Sequence, residues 1–324
     1  VIASLLLLAF TPLEEKVGSL FLAPLIVEWG ENHMEDWEAL LEEVPIGGAL
    51  LYRGTKEEAE KKLERLGPFA IVAIDGEAGL GTRLEGCLSF PRQGTVEEIR
   101  KWACLTGQEA RALGINLNLA PVADVGLATR SFLGPAETVS SLVATYVQSL
   151  QEEGVAATAK HFPGHGGASG DSHLLLPTLE TPVFSPFQAA IEAGVIAIMP
   201  GHLLIPAFDP LPVTLSPFWI EEMLRGKMGF GAVVVTDALN MGALAAWGDA
   251  PFLAHQAGCD LLLYGAQFFW EPGGQETMSC LLRYEIPRAF RSLLSAYQDG
   301  RLPIEKLDQH LERLALIPSS CKAR

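Results

Sequence analysis

The residue types able to do chemistry in this chain gather most densely in one segment, Lys160-His-Phe-Pro-Gly-His-Gly-Gly-Ala-Ser-Gly-Asp-Ser-His173. Gly164, Gly166, Gly167 and Gly170 make it a loop able to approach a ligand closely. Within it, Asp171-x-His173 sets a carboxylate near an imidazole, the pairing that orients a histidine and tunes its basicity. A glycine turn carrying solvated polar residues is the competing reading. His161-x-x-x-His165 with Asp171 and His173 also supplies ligand types that zinc accepts. Pro163 and Gly164, however, break any helix that would put the two histidines on one face, so no metal is expected. Asp237 closes the apolar run Val233-Val-Val-Thr-Asp237, where a carboxylate serves as nucleophile, base or N-cap of a following helix. Asp75, with Arg83 and Arg130, adds an acid that can accept paired bonds from vicinal hydroxyls. The two guanidiniums suit a carboxylate, a phosphate or a polar sugar rim. Gly76, Gly79 and Gly81 miss the G-x-G-x-x-G order and no G-x-x-x-x-G-K-[ST] segment occurs, so no nucleotide cofactor is expected.

These groups need a scaffold that presents them together. Short, continuously apolar runs recur at Leu20–Pro24, Gly47–Leu51, Ala70–Ile74, Asn116–Ala120, Ala156–Lys160, Ile196–Pro200, Ala232–Asp237 and Asp260–Tyr264. Unbroken apolar character, without strict alternation, marks strands covered on both faces, as in a parallel sheet. Between them lie helical patterns at Lys56–Leu66, Thr95–Leu113 (opening with the capping-box pair Thr95 and Glu98), Thr138–Glu153 and Pro217–Met228. Glu276–Ala315 reads as terminal helices with a turn at Asp299-Gly-Arg-Leu-Pro303. Eight strands alternating with helices predict an α/β fold, a single (β/α)8 TIM-type barrel with C-terminal helices; an open doubly wound sheet is the alternative. In a barrel, useful side chains sit at the carboxyl ends of strands. Asp75, Asp124, Lys160, His161, His202 and Asp237 all interrupt the apolar pattern there.

The chain has 324 residues, 39 Asp+Glu against 23 Lys+Arg, and a formal charge of −16, which argues against a sequence-independent grip on nucleic acid or an anionic membrane. Hydrophobic residues make up 49% and charged residues 19%, enough for a large core and too apolar for disorder. Nothing marks a linker, so one domain over residues 1–324 is expected. Five scattered cysteines without a CxxC pair fit a reducing compartment. The opening run Val1–Phe10 is shorter than the roughly 20 apolar residues of a membrane span. It lacks a basic segment before it and an Ala-x-Ala site, so it is expected to be a trimmed leader or an arm. A cytoplasmic location is expected, with export as the alternative if that run is a signal remnant.

Lys160-His-Phe-Pro-Gly-His-Gly followed by Asp171-Ser-His173 closely resembles the signature of family 3 glycoside hydrolases of the β-N-acetylglucosaminidase type. Asn118-Leu-Ala-Pro-Val-Ala-Asp124, Arg130-Ser-Phe132, Ala197-Ile-Met-Pro-Gly-His202 and Gly229-Phe-Gly-Ala-Val-Val-Val-Thr-Asp237 resemble its other landmarks, in order, from about Lys16 to about Leu316. The resemblance implies Asp237 as the nucleophile that forms a covalent glycosyl-enzyme. It implies His173 as acid/base and Asp171 as its partner. Asp75, Arg83, Arg130, Lys160 and His161 become the residues that hold the N-acetylglucosamine ring. It implies a single barrel, no metal and no organic cofactor. Two departures stand out: the usual Asp-Gln-Glu-Gly-Gly-Arg reads Asp75-Gly-Glu-Ala-Gly-Leu80, and Ala238 follows Asp237 where many relatives carry a second acid.

The expected function is thus a retaining exo-β-N-acetylglucosaminidase acting on peptidoglycan fragments, N-acetylglucosaminyl muropeptides of a cell-wall recycling route. Its partner is a small-molecule or oligosaccharide substrate, with no nucleic acid and no membrane span, and the protein is expected to be a monomer. The alternatives are a β-N-acetylglucosaminide phosphorylase, which uses phosphate in place of water, and a non-catalytic sugar-binding barrel.

Overall fold

The eight apolar runs all become strands, and two further short strands join them. In the computed structural model, which describes residues 11–127, 129–168, 175–266 and 273–320, the strands are β1 (Phe21–Ile26), β2 (Gly48–Tyr52), β3 (Gly54–Thr55), β4 (Ile71–Ile74), β5 (Leu84–Glu85), β6 (Leu117–Asn118), β7 (Ala156–Phe162), β8 (Ala197–Pro200), β9 (Val233–Val234) and β10 (Leu262–Leu263). Eight of them form one parallel sheet in the order β10-β1-β2-β4-β6-β7-β8-β9. Every residue of β1, β4, β7 and β8 is buried, the consequence of covering both faces of a parallel sheet. Between the two end strands of that order, Val235 bridges Leu261 in parallel. Thr236 N–H donates to the Leu261 carbonyl and Leu239 N–H to that of Leu263, each at 2.9 Å.

Some strands are shorter than the apolar runs, for local reasons. Pro121 has no N–H with which to continue the ladder beyond β6, though Val122 still bridges Lys160. At β9, the Val234 N–H donates to the Asp260 carboxylate at 2.7 Å, so a side chain replaces a ladder bond. The pair β3/β5 has no counterpart among the apolar runs; it is a parallel two-residue contact, Gly54 with Leu84 and Thr55 with Glu85.

Helices fill the intervals as their sequence signals require. Thr55 and Thr95 each accept from the N–H three residues on while Glu58 and Glu98 reach back, so Lys56–Leu66 and Val96–Ala112 begin with complete capping boxes. Ala136–Glu152 and Ser185–Glu192 follow. Phe218–Lys227 departs from the expected α-helix and winds as a π-helix, with Met228 N–H reaching back five residues to Met223. The terminal helices are Gly274–Cys280, Ile286–Gln298 and Ile304–Leu314, with Gly300 at φ 78° in the expected turn. Among the described residues no helix is long and apolar enough to cross a membrane.

At the amino-terminal end of β10, Asp260 ties several of these parts together. It is fully buried and contacts Arg225 (2.9 Å), His310 Nδ1 (2.6 Å) and Arg313 Nε (2.8 Å). Burial opposes its ionisation, yet the hydrogen bond to His310 and the two guanidiniums hold its carboxyl below the usual range. Removing one partner of such a buried group leaves uncompensated charge behind. Asp260→Ala should therefore lower the unfolding free energy by about 3–5 kcal/mol in a urea titration, well beyond a surface substitution.

Candidate active site

The turn after β4 carries the first acids. Asn118, at the end of β6, accepts from the Gly76 N–H through Oδ1 at 2.9 Å and donates through Nδ2 to the Tyr146 hydroxyl at 3.1 Å. The Asp75-Gly76-Glu77 turn is thereby fixed against the neighbouring strand. A Cβ at Gly76 would lie 3.0 Å from Leu80 Cδ2 and 3.2 Å from Asn118 Oδ1. Leu80 is fully buried, so the two departures from the family pattern, Gly76 and Leu80, are packed against each other.

Lys160, on β7, is buried between these acids, its Nζ 2.5 Å from Asp75 Oδ1 and 2.9 Å from Glu77 Oε1. Arg83 pairs with Asp75 through both the carboxylate and, at 3.1 Å, the backbone carbonyl. Its guanidinium lies over the Tyr52 ring, and the β3/β5 contact carries the chain past this point. Glu77 holds Arg130 (Nη2 to Oε1, 2.5 Å) and Arg92 (Nη1 to Oε2, 2.7 Å). Burial works against ionisation of both acids, but Lys160 and the neighbouring guanidiniums outweigh it; Asp75 titrates below its ordinary range and Glu77 well below.

His161 is held from behind. Asp124, fully buried, lies 2.8 Å from His161 Nδ1, and its other oxygen accepts the His161 and His165 N–H groups at 3.2 and 2.5 Å. With Asp124 ionised, Nδ1 carries the ring proton. The loop then passes so close to Val125 that a Cβ at Gly166 would fall 1.8 Å from its carbonyl oxygen.

Asp237 follows β9 at the same end of the sheet. Its Oδ1 accepts the Ala238 N–H at 2.8 Å. Burial pushes the carboxyl up, but His161, His202, the Ala238 N–H and Lys160 together bring it down to about 2. The capping role that its position allowed falls to another residue, because the next α-helix, Ala250–Gln256, is capped by Asp249.

Asp75, Arg83, Arg130, Lys160, His161 and Asp237 all line one cavity of about 800 Å³, which Tyr52, Glu77, Arg92 and His165 share. Asp171 and His173 lie outside the described residues. Glu77 and Arg92 escaped the sequence reading. The available signal was charge balance: Lys160, Arg83 and Arg130 converging near Asp75 call for a second acid, and Glu77 stands two positions on. Among the described residues no group of three or more histidines, cysteines and acids is arranged to hold a metal.

Comparison with known proteins bears on this site. The family model described as the glycosyl hydrolase family 3 N terminal domain matches residues 13–317. A beta-hexosaminidase of Methylococcus capsulatus is 33% identical over 249 residues, 67% of this chain and 75% of its own length. Another from Stenotrophomonas maltophilia is 39% identical over 176 residues, 50% of this chain and 52% of its own. The solved structure of a glycoside hydrolase family 3 beta-N-acetylglucosaminidase from Paenibacillus sp. matches with a TM-score of 0.81 and 34% identity over 95% of this chain. This chain spans 62% of that one.

A carboxyl depressed in the folded state favours folding above its unfolded pKa, and the contribution is lost as pH falls through the folded value. For Asp237 that window runs from about pH 4 down to about pH 2. The stability difference between wild type and Asp237→Asn, measured by urea titration, should therefore shrink as pH is lowered across it.

Proposed function

Because the chain belongs to glycosyl hydrolase family 3, we propose that it is a retaining exo-β-N-acetylglucosaminidase working through a covalent ester on Asp237. The observation that carries this reading is the sharing of one cavity. A carboxylate kept ionised beyond the end of β9 faces the same space as Asp75, Arg83, Arg130, Lys160 and His161. The names of the similar proteins, beta-hexosaminidase and beta-N-acetylglucosaminidase, support the sugar.

In this reading Asp75, with Lys160 and Arg83, exchanges part of its internal hydrogen bonding for the substrate's hydroxyls, while Arg130 and His161 complete the ring contacts. An Asp237 carboxylate oxygen attacks the anomeric carbon as the bond to the leaving oxygen breaks. The proton needed by that oxygen comes from His173, paired with Asp171. In the second half His173 takes a proton from water, the water oxygen bonds to the anomeric carbon, and the Asp237 ester bond breaks to restore the carboxylate. Inversion at each step leaves the product with the configuration of the substrate. Asp237 suits the first role because a low pKa keeps it ionised at neutral pH.

The finer parts of the proposal follow from the same frame. The eight strands are taken as a closed (β/α)8 barrel in one domain, supported by the Val235–Leu261 bridge. The substrate is taken as an N-acetylglucosaminyl muropeptide, in accord with the resemblance of the Lys160–His173 segment. A monomer in the cytoplasm is taken with it, the scattered cysteines without a CxxC pair according with a reducing compartment.

The test is release of p-nitrophenol from its β-N-acetylglucosaminide, with and without phosphate. Wild type should release it independently of phosphate, and Asp237→Ala should lose roughly 10³-fold or more in kcat. Unchanged turnover in the variant would remove Asp237 from the mechanism. Phosphate-stimulated release yielding sugar 1-phosphate would make the protein a phosphorylase. A signal from bound sugar without turnover would make it a binding barrel.

A further inference from the structure

The residue after the proposed nucleophile is held at both ends of its backbone. Ala238 N–H donates to Asp237 Oδ1 at 2.8 Å, and its carbonyl oxygen lies 3.0 Å from His202 Nε2. His202 stands just beyond β8 with no solvent exposure. Its Nδ1 is 2.9 Å from the Thr214 hydroxyl, which is itself 3.1 Å from the Gly201 carbonyl. Thr214 is also fully buried.

Donor and acceptor counting fixes the end of the ring that faces Ala238. The Ala238 carbonyl can only accept, so Nε2 carries a proton. Burial, the dominant influence on His202, holds its imidazole below the ordinary histidine range, so the ring is neutral at neutral pH, with Nδ1 unprotonated, and takes up charge only in acid. The single Thr214 hydroxyl proton then has two acceptors in reach, Nδ1 at 2.9 Å and the Gly201 carbonyl at 3.1 Å. The Nε2 contact to the Ala238 carbonyl fixes the tautomer of a neutral ring, and contacts at both nitrogens fix its orientation.

We propose that His202, oriented by Thr214, is a positioning residue for Asp237. By holding the Ala238 carbonyl it limits rotation about Ala238, so that the N–H on the other side of that residue stays on Oδ1 and the carboxylate keeps one orientation toward the cavity. The inference rests on the assignment of Asp237 as nucleophile, and it names a residue that acts through Asp237 without touching substrate. An imidazole suits the task because it spans from a hydroxyl to a carbonyl on opposite sides of a rigid ring. The substitution His202→Gln retains a donor at the far end of the side chain, whereas His202→Asn leaves that donor one methylene short.

The experiment measures kcat and KM on p-nitrophenyl β-N-acetylglucosaminide for wild type, His202→Phe, His202→Asn and His202→Gln in the full chain. Misplacing a reacting group by about 1 Å costs up to roughly 100-fold, so His202→Phe should lose about 30- to 100-fold in kcat with KM within about threefold. His202→Asn should behave like His202→Phe and serves in its place should that variant not fold. His202→Gln should recover to within about fivefold of wild type, an amide standing in for one neutral hydrogen bond. Equal losses in the Gln and Asn variants, or a change carried by KM alone, would overturn the proposal. Crystal structures of wild type and the Asn variant supply a readout independent of turnover. The Asp237 carboxylate should leave the Ala238 N–H in the variant, and an unmoved carboxylate overturns the inference. If wild type turns over no aryl glycoside, the proposed activity fails, and the carboxylate's position still decides the role of His202.

Discussion

A single buried ammonium sets the terms for the rest of the cavity. Lys160 is 2% exposed, and a charge so placed costs several kcal/mol unless it is paired and hydrogen-bonded. Its two carboxylates, Asp75 and Glu77, come from the turn after β4, while Lys160 comes from β7; β6 lies between them in the sheet. The ion pairs therefore span three strands and fix the turn relative to the sheet. Without the ammonium, Asp75 and Glu77 would repel as like charges, with only Arg83, Arg92 and Arg130 left to hold them ionised. Arg83, Arg92 and Arg130 are placed by those same two acids. The charges hold one another in place without calling on a ligand group, which is the condition for electrostatic preorganisation.

Much of this is legible in the sequence because burial on both faces leaves an unmistakable pattern. Leu20–Pro24 and Ala156–Lys160 each read as apolar runs and each overlaps a fully buried strand. The interruptions of that pattern by Asp75, Lys160, His161 and Asp237 mark one end of the sheet, and these four residues share the cavity. The Thr95–Glu98 spacing announces a capping box that the structure contains. In each case the sequence signal and the physical cause are separated by only a few residues.

What escapes the sequence depends on partners distant along the chain. Glu77 looks like one more loop acid until Arg92, Arg130 and Lys160 are seen to share it. Asp124 stands out as polar at a strand end, but its grip on His161 and on the His165 N–H requires the folded loop. The ambiguity between capping and chemistry at Asp237 is real at the level of sequence, since strand-end acids do both. The capping reading falls away because the next α-helix begins only after Asp249. Shortened β9 likewise reflects the Asp260 carboxylate occupying a ladder N–H, an event that no local propensity encodes.

The knot around Asp260 also bears on how the chain comes to be folded during synthesis. Arg225 and the Val234 N–H precede this carboxylate, but His310 and Arg313 follow it by 50 and 53 residues. A nascent chain that has just delivered β10 thus holds an acid bound for the interior with half of its partners still untranslated. With Ile304–Leu314 absent, Asp260 would keep only Arg225 and the Val234 N–H, and burying it would cost more. Docking of the last strand is in this way energetically tied to a helix that contributes no residue to the cavity.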